Sequence, residues 1–173
     1  MNTPHGNVVT KADEPPAERI GRSINAVRGN SFGAIVMLLT QYALGIWVNL
    51  FGQLPASDHG KGTFPAFGSA VANGPVVLAL HAVLGTLLVA AAIAALVRSF
   101  MTRRRAWIAV TAIALAAIVA AWVSGSSFVG APSNSASFSM AMATAVAILS
   151  YVIILLTSGW VVTGHARQEP SPR

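Results

Sequence analysis

Residues 76–97 decide the fold of this chain; they read VVLALHAVLGTLLVAAAIAALV and contain no Asp, Glu, Lys or Arg. A membrane-spanning helix needs about 20 consecutive, largely apolar residues, and this run is typical of one. Three further stretches have the same character, at 33–51, 106–123 and 138–162. Because backbone polar groups in lipid must be satisfied internally, each stretch predicts a helix. We therefore expect an all-α integral membrane protein, built as a four-helix up-down bundle.

The composition agrees with a membrane protein and excludes an ordinary soluble domain. Hydrophobic residues make up 54% of the chain, charged residues only 9%, and the mean hydropathy is +0.65. A soluble domain carries about 25% charged residues, because water must wet its surface. The chain has no cysteine, which excludes disulfides, thiolate metal sites and iron–sulfur clusters.

The basic residues predict the orientation in the membrane. Lys61 is the one cation between the first and second stretches. All the others fall on the opposite side of the predicted bundle: Lys11, Arg19, Arg22, Arg28, Arg98, Arg103, Arg104, Arg105, Arg167 and Arg173. Cytoplasmic loops carry the excess of Lys and Arg, so we expect a multi-pass protein of the inner (plasma) membrane with both termini cytoplasmic. Topology accounts for this charge, and no nucleic-acid partner is expected.

The segments outside the spans divide the chain into three parts. Residues 1–30 are polar and contain proline, a composition that predicts a disordered cytoplasmic arm. Residues 31–165 form the four-span domain, and residues 166–173 form a short cytoplasmic tail.

The connection at 52–75 is long for a helical bundle, and loops of this length are usually functional or disordered. Phe64 and Phe67 give it apolar anchors. Two interpretations stay open: a lid over the outer end of the bundle, or a solvated linker. His59 lies in this connection and could reach the bundle if the connection folds inward.

Polar residues inside the first two spans mark a candidate site. Gln41, Gly45 and Asn49 follow one another at four-residue spacing, which places them on one helix face that should point into the bundle. This polar stripe either joins helices or lines a cofactor or quinone site. His81 is the only histidine inside a span, and an intramembrane ionisable residue is a functional hypothesis by default. A neutral imidazole can ligate a metal or haem iron, donate to a quinone carbonyl, or bond a neighbouring side chain.

Other residues of the spans have weaker interpretations. Met140 and Met142 lie near the outer surface level with His81, but residues two apart point to nearly opposite faces, so at most one could join it. Small-residue ridges predict tight helix packing, and the tryptophans near span ends are typical interfacial anchors. The ridges are Ala112, Ala116 and Ala120, and Ser139, Ala143 and Ala147; the tryptophans are Trp47, Trp107, Trp122 and Trp160.

The first half of the chain resembles one helix pair of haem A synthase. The resemblance rests on QYALG at 41–45 late in a span, an outer connection, and LHAVLG at 80–85 early in the next span. In that family, four-helix halves hold b-type haem with histidines at the outer helix ends, and the resemblance implies such a ligand role for His81. The second half, GSSFVGAPSNSASFSMAMA at 125–143, is similar to small uncharacterised four-helix membrane proteins of bacteria.

Two functions are expected from these observations. The first is a non-catalytic accessory or assembly subunit of a membrane complex, with a membrane protein or a second copy as partner. The alternative is a redox-associated protein that binds haem b or quinone at His81, with His59, Met140 or a partner's residue as second ligand. The spans contain no Asp or Glu, so a carboxylate proton relay is not expected, and neither is an enzyme.

Overall fold

The computed structural model describes residues 16–52, 60–102 and 104–166, and most of these are helical. The helices are α1 (Pro16–Phe51), α2 (Thr63–Asn73), α3 (Val76–Thr102), α4 (Arg105–Gly130) and α5 (Asn134–Ala166). Four of them contain an apolar stretch long enough to cross a membrane: Asn25–Phe51, Val76–Met101, Arg105–Gly130 and Asn134–Ser158. The prediction of an all-α, four-helix membrane bundle is confirmed.

The helices extend beyond the apolar runs that mark them in the sequence. The expectation of a disordered arm over 1–30 is wrong for residues 16–30, because α1 begins at Pro16. Proline suits the first helical position, and Ala17, Glu18 and Arg19 after it are compatible with a helix. Once the apolar span is helical, each added residue extends it without a new nucleation step.

The four long helices pack as a square. α1 contacts α3 and α5, and α4 also contacts α3 and α5, so α1 and α4 stand on one diagonal. The contact between α4 and α5 is the most extensive of these, and the contact between α1 and α3 is the least extensive.

Alanines take part in the main core, and on α4 they lie on a different face from the one predicted. Ala114 and Ala147 are completely buried, as small residues at close helix contacts should be. Both alanines belong to the main core cluster, with Leu38, Leu88, Ala92, Ala117, Ile118, Tyr151 and Ile154. The predicted ridge of Ala112, Ala116 and Ala120 is wrong, since all three are exposed. In the other predicted ridge Ala147 is buried, Ala143 is half-buried and Ser139 is exposed.

The connection at 52–75 contains the helix α2, which sequence reasoning did not predict. α2 packs on α3 and α4, and a second core cluster joins it to the ends of the long helices: Val48, Ala66, Ala70, Leu78 and Val129. Gly60, with a φ of 79°, donates its backbone N–H to the carbonyl oxygen of Gly130 over 2.9 Å. We call this extremity of the molecule the α2 end.

Large apolar side chains cover the outside of the bundle. Leu39, Leu87, Ile113 and Leu149 are each about half exposed, on four different helices. Soluble monomers rarely expose apolar patches of such extent. In a membrane these side chains face lipid tails, and the lipid bilayer is the environment that this surface fits.

Candidate functional site

A cavity of about 230 Å³ lies inside the bundle towards the α2 end. All five helices contribute to its wall, and both the polar stripe of α1 and His81 of α3 line it. Its lining includes Gln41, Gly45, His81, Gly85, Trp122 and Met140. The structure thus brings together the two features that the sequence singled out in different spans.

Gln41 and His81 form the polar contact at the centre of the site. The side-chain amide nitrogen of Gln41, Nε2, donates to the backbone carbonyl of His81 over 2.9 Å. The same nitrogen lies 3.3 Å from Nε2 of the His81 ring. An amide nitrogen has two hydrogens and no acceptor capacity, so it donates to both groups. The ring nitrogen Nε2 is therefore the acceptor, and this network assigns the proton of the neutral ring to Nδ1.

This arrangement leaves two polar atoms without a partner. Within the described residues, Oε1 of Gln41 and Nδ1 of His81 are buried and make no hydrogen bond. Hydroxyl groups elsewhere in the helices behave differently, because they donate to a carbonyl of their own helix about one turn earlier; examples are Thr86, Thr111, Ser126, Thr144 and Ser150. An unsatisfied buried polar group costs about 1–3 kcal/mol. Such a pair in a cavity wall is what a ligand with complementary polar atoms would satisfy.

Glycines allow the side chains of the site to approach the helices closely. A Cβ placed on Gly45 would lie 3.1 Å from Cε1 of His81, and one placed on Gly85 would lie 3.0 Å from Nε2 of Gln41. A Cβ on Gly125 would lie 3.2 Å from the sulfur of Met140. Each glycine therefore lies directly against one of the side chains that line the cavity.

Met140 is the methionine of the predicted pair that reaches the site. The Cβ position on Gly45 is 3.8 Å from both Cε of Met140 and Nδ1 of His81, so the two side chains meet at this glycine. Met142 is exposed instead. Both atoms without a partner are enclosed by their neighbours. Among these neighbours the unbranched thioether of Met140 is the one that changes conformation most easily.

Trp122 is a site residue that sequence reasoning missed, since the sequence indicated only an interfacial anchor at this position and the structure places it in the cavity wall. It lies inside α4, its ring centroid is 5.1 Å from that of Phe67 and 6.2 Å from that of Phe64, and its indole N–H donates to the hydroxyl of Thr86 over 3.2 Å. The two phenylalanines belong to α2, so this contact fixes α2 beside the cavity. α4 continues for about two turns beyond Trp122, to Gly130. A predicted span that ended at Gly130 would therefore have placed Trp122 inside the helix and away from its end.

Other predicted site residues lie at the rim or outside the described part of the chain. Asn49 lines the cavity but is exposed, so it belongs to the rim. His59 lies outside the described residues. Within the described residues, no group of three or more His, Cys, Asp or Glu side chains could hold a metal ion. Of the described residues, Met140 and Gln41 line the cavity beside His81.

The described residues fit a haem poorly. Nε2 of His81, one of the two nitrogens that could ligate iron, accepts from the amide of Gln41. The cavity volume of about 230 Å³ also lies below the range of about 300–1,000 Å³ that is usual for ligand pockets. A single ring whose apolar tail leaves the bundle fits this volume better than a macrocycle.

No protein-family model, no curated protein and no solved structure matches the chain. The chemistry of the site follows from its own groups: a donor, an acceptor and a largely apolar wall.

Proposed function

We propose that the chain is a redox-associated membrane protein whose cavity binds the head group of a lipophilic quinone beside His81 and Gln41. The observation that carries this proposal is the pair of buried atoms without partners, Nδ1 of His81 and Oε1 of Gln41, in a cavity wall. A quinone ring carries polar oxygens on a small flat body. Its apolar tail can extend among the lipid-facing side chains.

The orientation of the basic residues would place this site near the outer surface. Arg98, Arg104 and Arg105 flank the connection between α3 and α4, at the extremity opposite α2. By the positive-inside rule this extremity is cytoplasmic. We propose an inner (plasma) membrane protein with both termini in the cytoplasm and the cavity in the outer half of the bilayer.

Binding of a benzoquinone with a short alkyl tail to the purified protein in detergent tests the proposed function. Trp122 lines the cavity, so quenching of tryptophan fluorescence should report occupancy. His81→Leu removes a hydrogen-bonding group and should weaken binding about tenfold or more, since about 1.4 kcal/mol corresponds to a factor of ten.

Thr111→Val is the matched control. It removes another buried polar group of a span, and that hydroxyl donates to the carbonyl of Trp107 over 2.8 Å, away from the cavity. Its affinity for the quinone should equal that of the unmodified protein. Failure of the unmodified protein to bind either quinone or quinol would overturn the proposal and leave the accessory-subunit function. A Soret band lost in His81→Leu would overturn it in favour of haem b.

A further inference from the structure

We propose that the cavity selects the reduced, hydroxyl-bearing form of its ligand, so that a quinol binds more tightly than the corresponding quinone. This inference rests on the proposed function of the site. It follows from the identity of the two atoms without partners, of which one donates and the other accepts.

The donor is Nδ1–H of His81. The ring nitrogen Nε2 lies 3.3 Å from an amide nitrogen that can only donate. Nε2 therefore accepts, and the hydrogen of the neutral ring is on Nδ1. A group that satisfies Nδ1–H must offer an oxygen lone pair, which both a quinone carbonyl and a quinol hydroxyl do.

The acceptor is Oε1 of Gln41. The orientation of this amide is fixed by the backbone carbonyl of His81, which lies 2.9 Å from the amide nitrogen. The reverse orientation would place two acceptor oxygens at that distance and would lose the hydrogen bond. A group that satisfies Oε1 must supply a hydrogen. A quinol hydroxyl has one, whereas a quinone carbonyl has none.

Quinone and quinol therefore differ in one hydrogen bond, the one to Oε1 of Gln41. Quinone leaves Oε1 of Gln41 unsatisfied in a buried place, and quinol satisfies both atoms. The penalty for one unsatisfied buried acceptor predicts that quinol binds about tenfold more tightly. For a two-electron couple, this preference raises the midpoint potential of the bound ligand by about 30 mV.

Calorimetric titration of the full chain in detergent under anaerobic conditions tests this selectivity. The probes are a benzoquinone with a short alkyl tail, its quinol, and the dimethyl ether of that quinol. The ether keeps both oxygens as acceptors but cannot donate. We expect the quinol to bind about tenfold more tightly than the quinone, and the ether to bind no better than the quinone.

A second comparison uses Gln41→Met, which keeps the length of the side chain and removes Oε1. In this variant the quinol should lose its advantage over the quinone, while Thr111→Val should retain it. The ether measurement needs no variant, so the test stands even if Gln41→Met does not fold. Equal affinity for quinone and quinol, or tighter binding of the quinone, overturns the selectivity and leaves the proposed function intact. Absence of binding by every probe overturns both.

Discussion

Replacing Gly45 by alanine perturbs the closest approach between α1 and the His81 ring. The added Cβ would lie 3.1 Å from Cε1 of His81, several tenths of an ångström inside ordinary van der Waals contact. A shift of the ring would disturb its contact with the amide nitrogen of Gln41, 3.3 Å from Nε2 of the ring. Overpacking of this kind costs about 1–3 kcal/mol.

The matched control is Gly33→Ala in the same helix. Nothing lies within 4 Å of a Cβ at Gly33, so this variant shows only the gain in helix propensity, about 1 kcal/mol. Gly45→Ala has the same gain in helix propensity, but the cost of overpacking against His81 is subtracted from it. We therefore expect the free energy of unfolding of Gly45→Ala to be about 1–3 kcal/mol below that of Gly33→Ala.

Unfolding by sodium dodecyl sulfate in mixed micelles, followed by helical circular dichroism, measures this difference. A second pair of proteins, His81→Ala with and without Gly45→Ala, tests whether the His81 ring causes this difference in stability. When His81 is already alanine, the ring is absent, and adding Gly45→Ala should no longer destabilise the protein. A coupling of about 0.5–3 kcal/mol between the two positions is expected for residues in contact. Equal stability of Gly45→Ala and Gly33→Ala, or the same destabilisation with and without His81, would refute the packing argument.

Three further predictions concern the attachment of α2, the position of the Gln41 amide and the orientation in the membrane. A Cβ on Gly130 would overlap the carbonyl oxygen of Lys61, so Gly130→Ala should detach α2 and speed amide hydrogen exchange there; Gly68→Ala, which adds a methyl group in open space, should not. Gly85→Ala brings a methyl group to 3.0 Å from the amide nitrogen of Gln41 and should weaken quinol binding about tenfold. Unchanged affinity for the quinol would show that quinol binding does not depend on the position of this amide. A reporter fused to the C-terminus should show cytoplasmic activity, and activity restricted to the opposite side would contradict the positive-inside assignment.

The four spans could be predicted from the sequence because the membrane imposes a one-dimensional requirement. Any segment that crosses lipid must be helical and apolar over about 20 residues, and this condition is met at 76–97 without reference to the rest of the chain. The face of Gln41 and Gly45 could be predicted as well, since four-residue spacing places them on one side of a helix. Both inferences require only the spacing of residues along one helix and the knowledge that the helix lies in lipid.

Helix α2 and the packed face of α4 could not be predicted in the same way. α2 is short, and its Ala66 and Ala70 pack in a cluster with Leu78 and with Val129, which is distant in the chain. α4 presents alanine on several faces, so spacing alone does not distinguish buried Ala114 from its exposed neighbours.

The sequence by itself determined a basic, cysteine-free, four-span membrane protein with one intramembrane histidine and a polar stripe in the preceding span. Only the tertiary structure decided that Gln41 contacts His81, that Met140 approaches both Gly45 and Gly125, and that Trp122 lies beside α2. The physical reason is that hydropathy and periodicity act along one helix. The rotation and depth at which helices meet are set by side-chain packing between them, and that packing buries one donor and one acceptor beside the cavity without a partner.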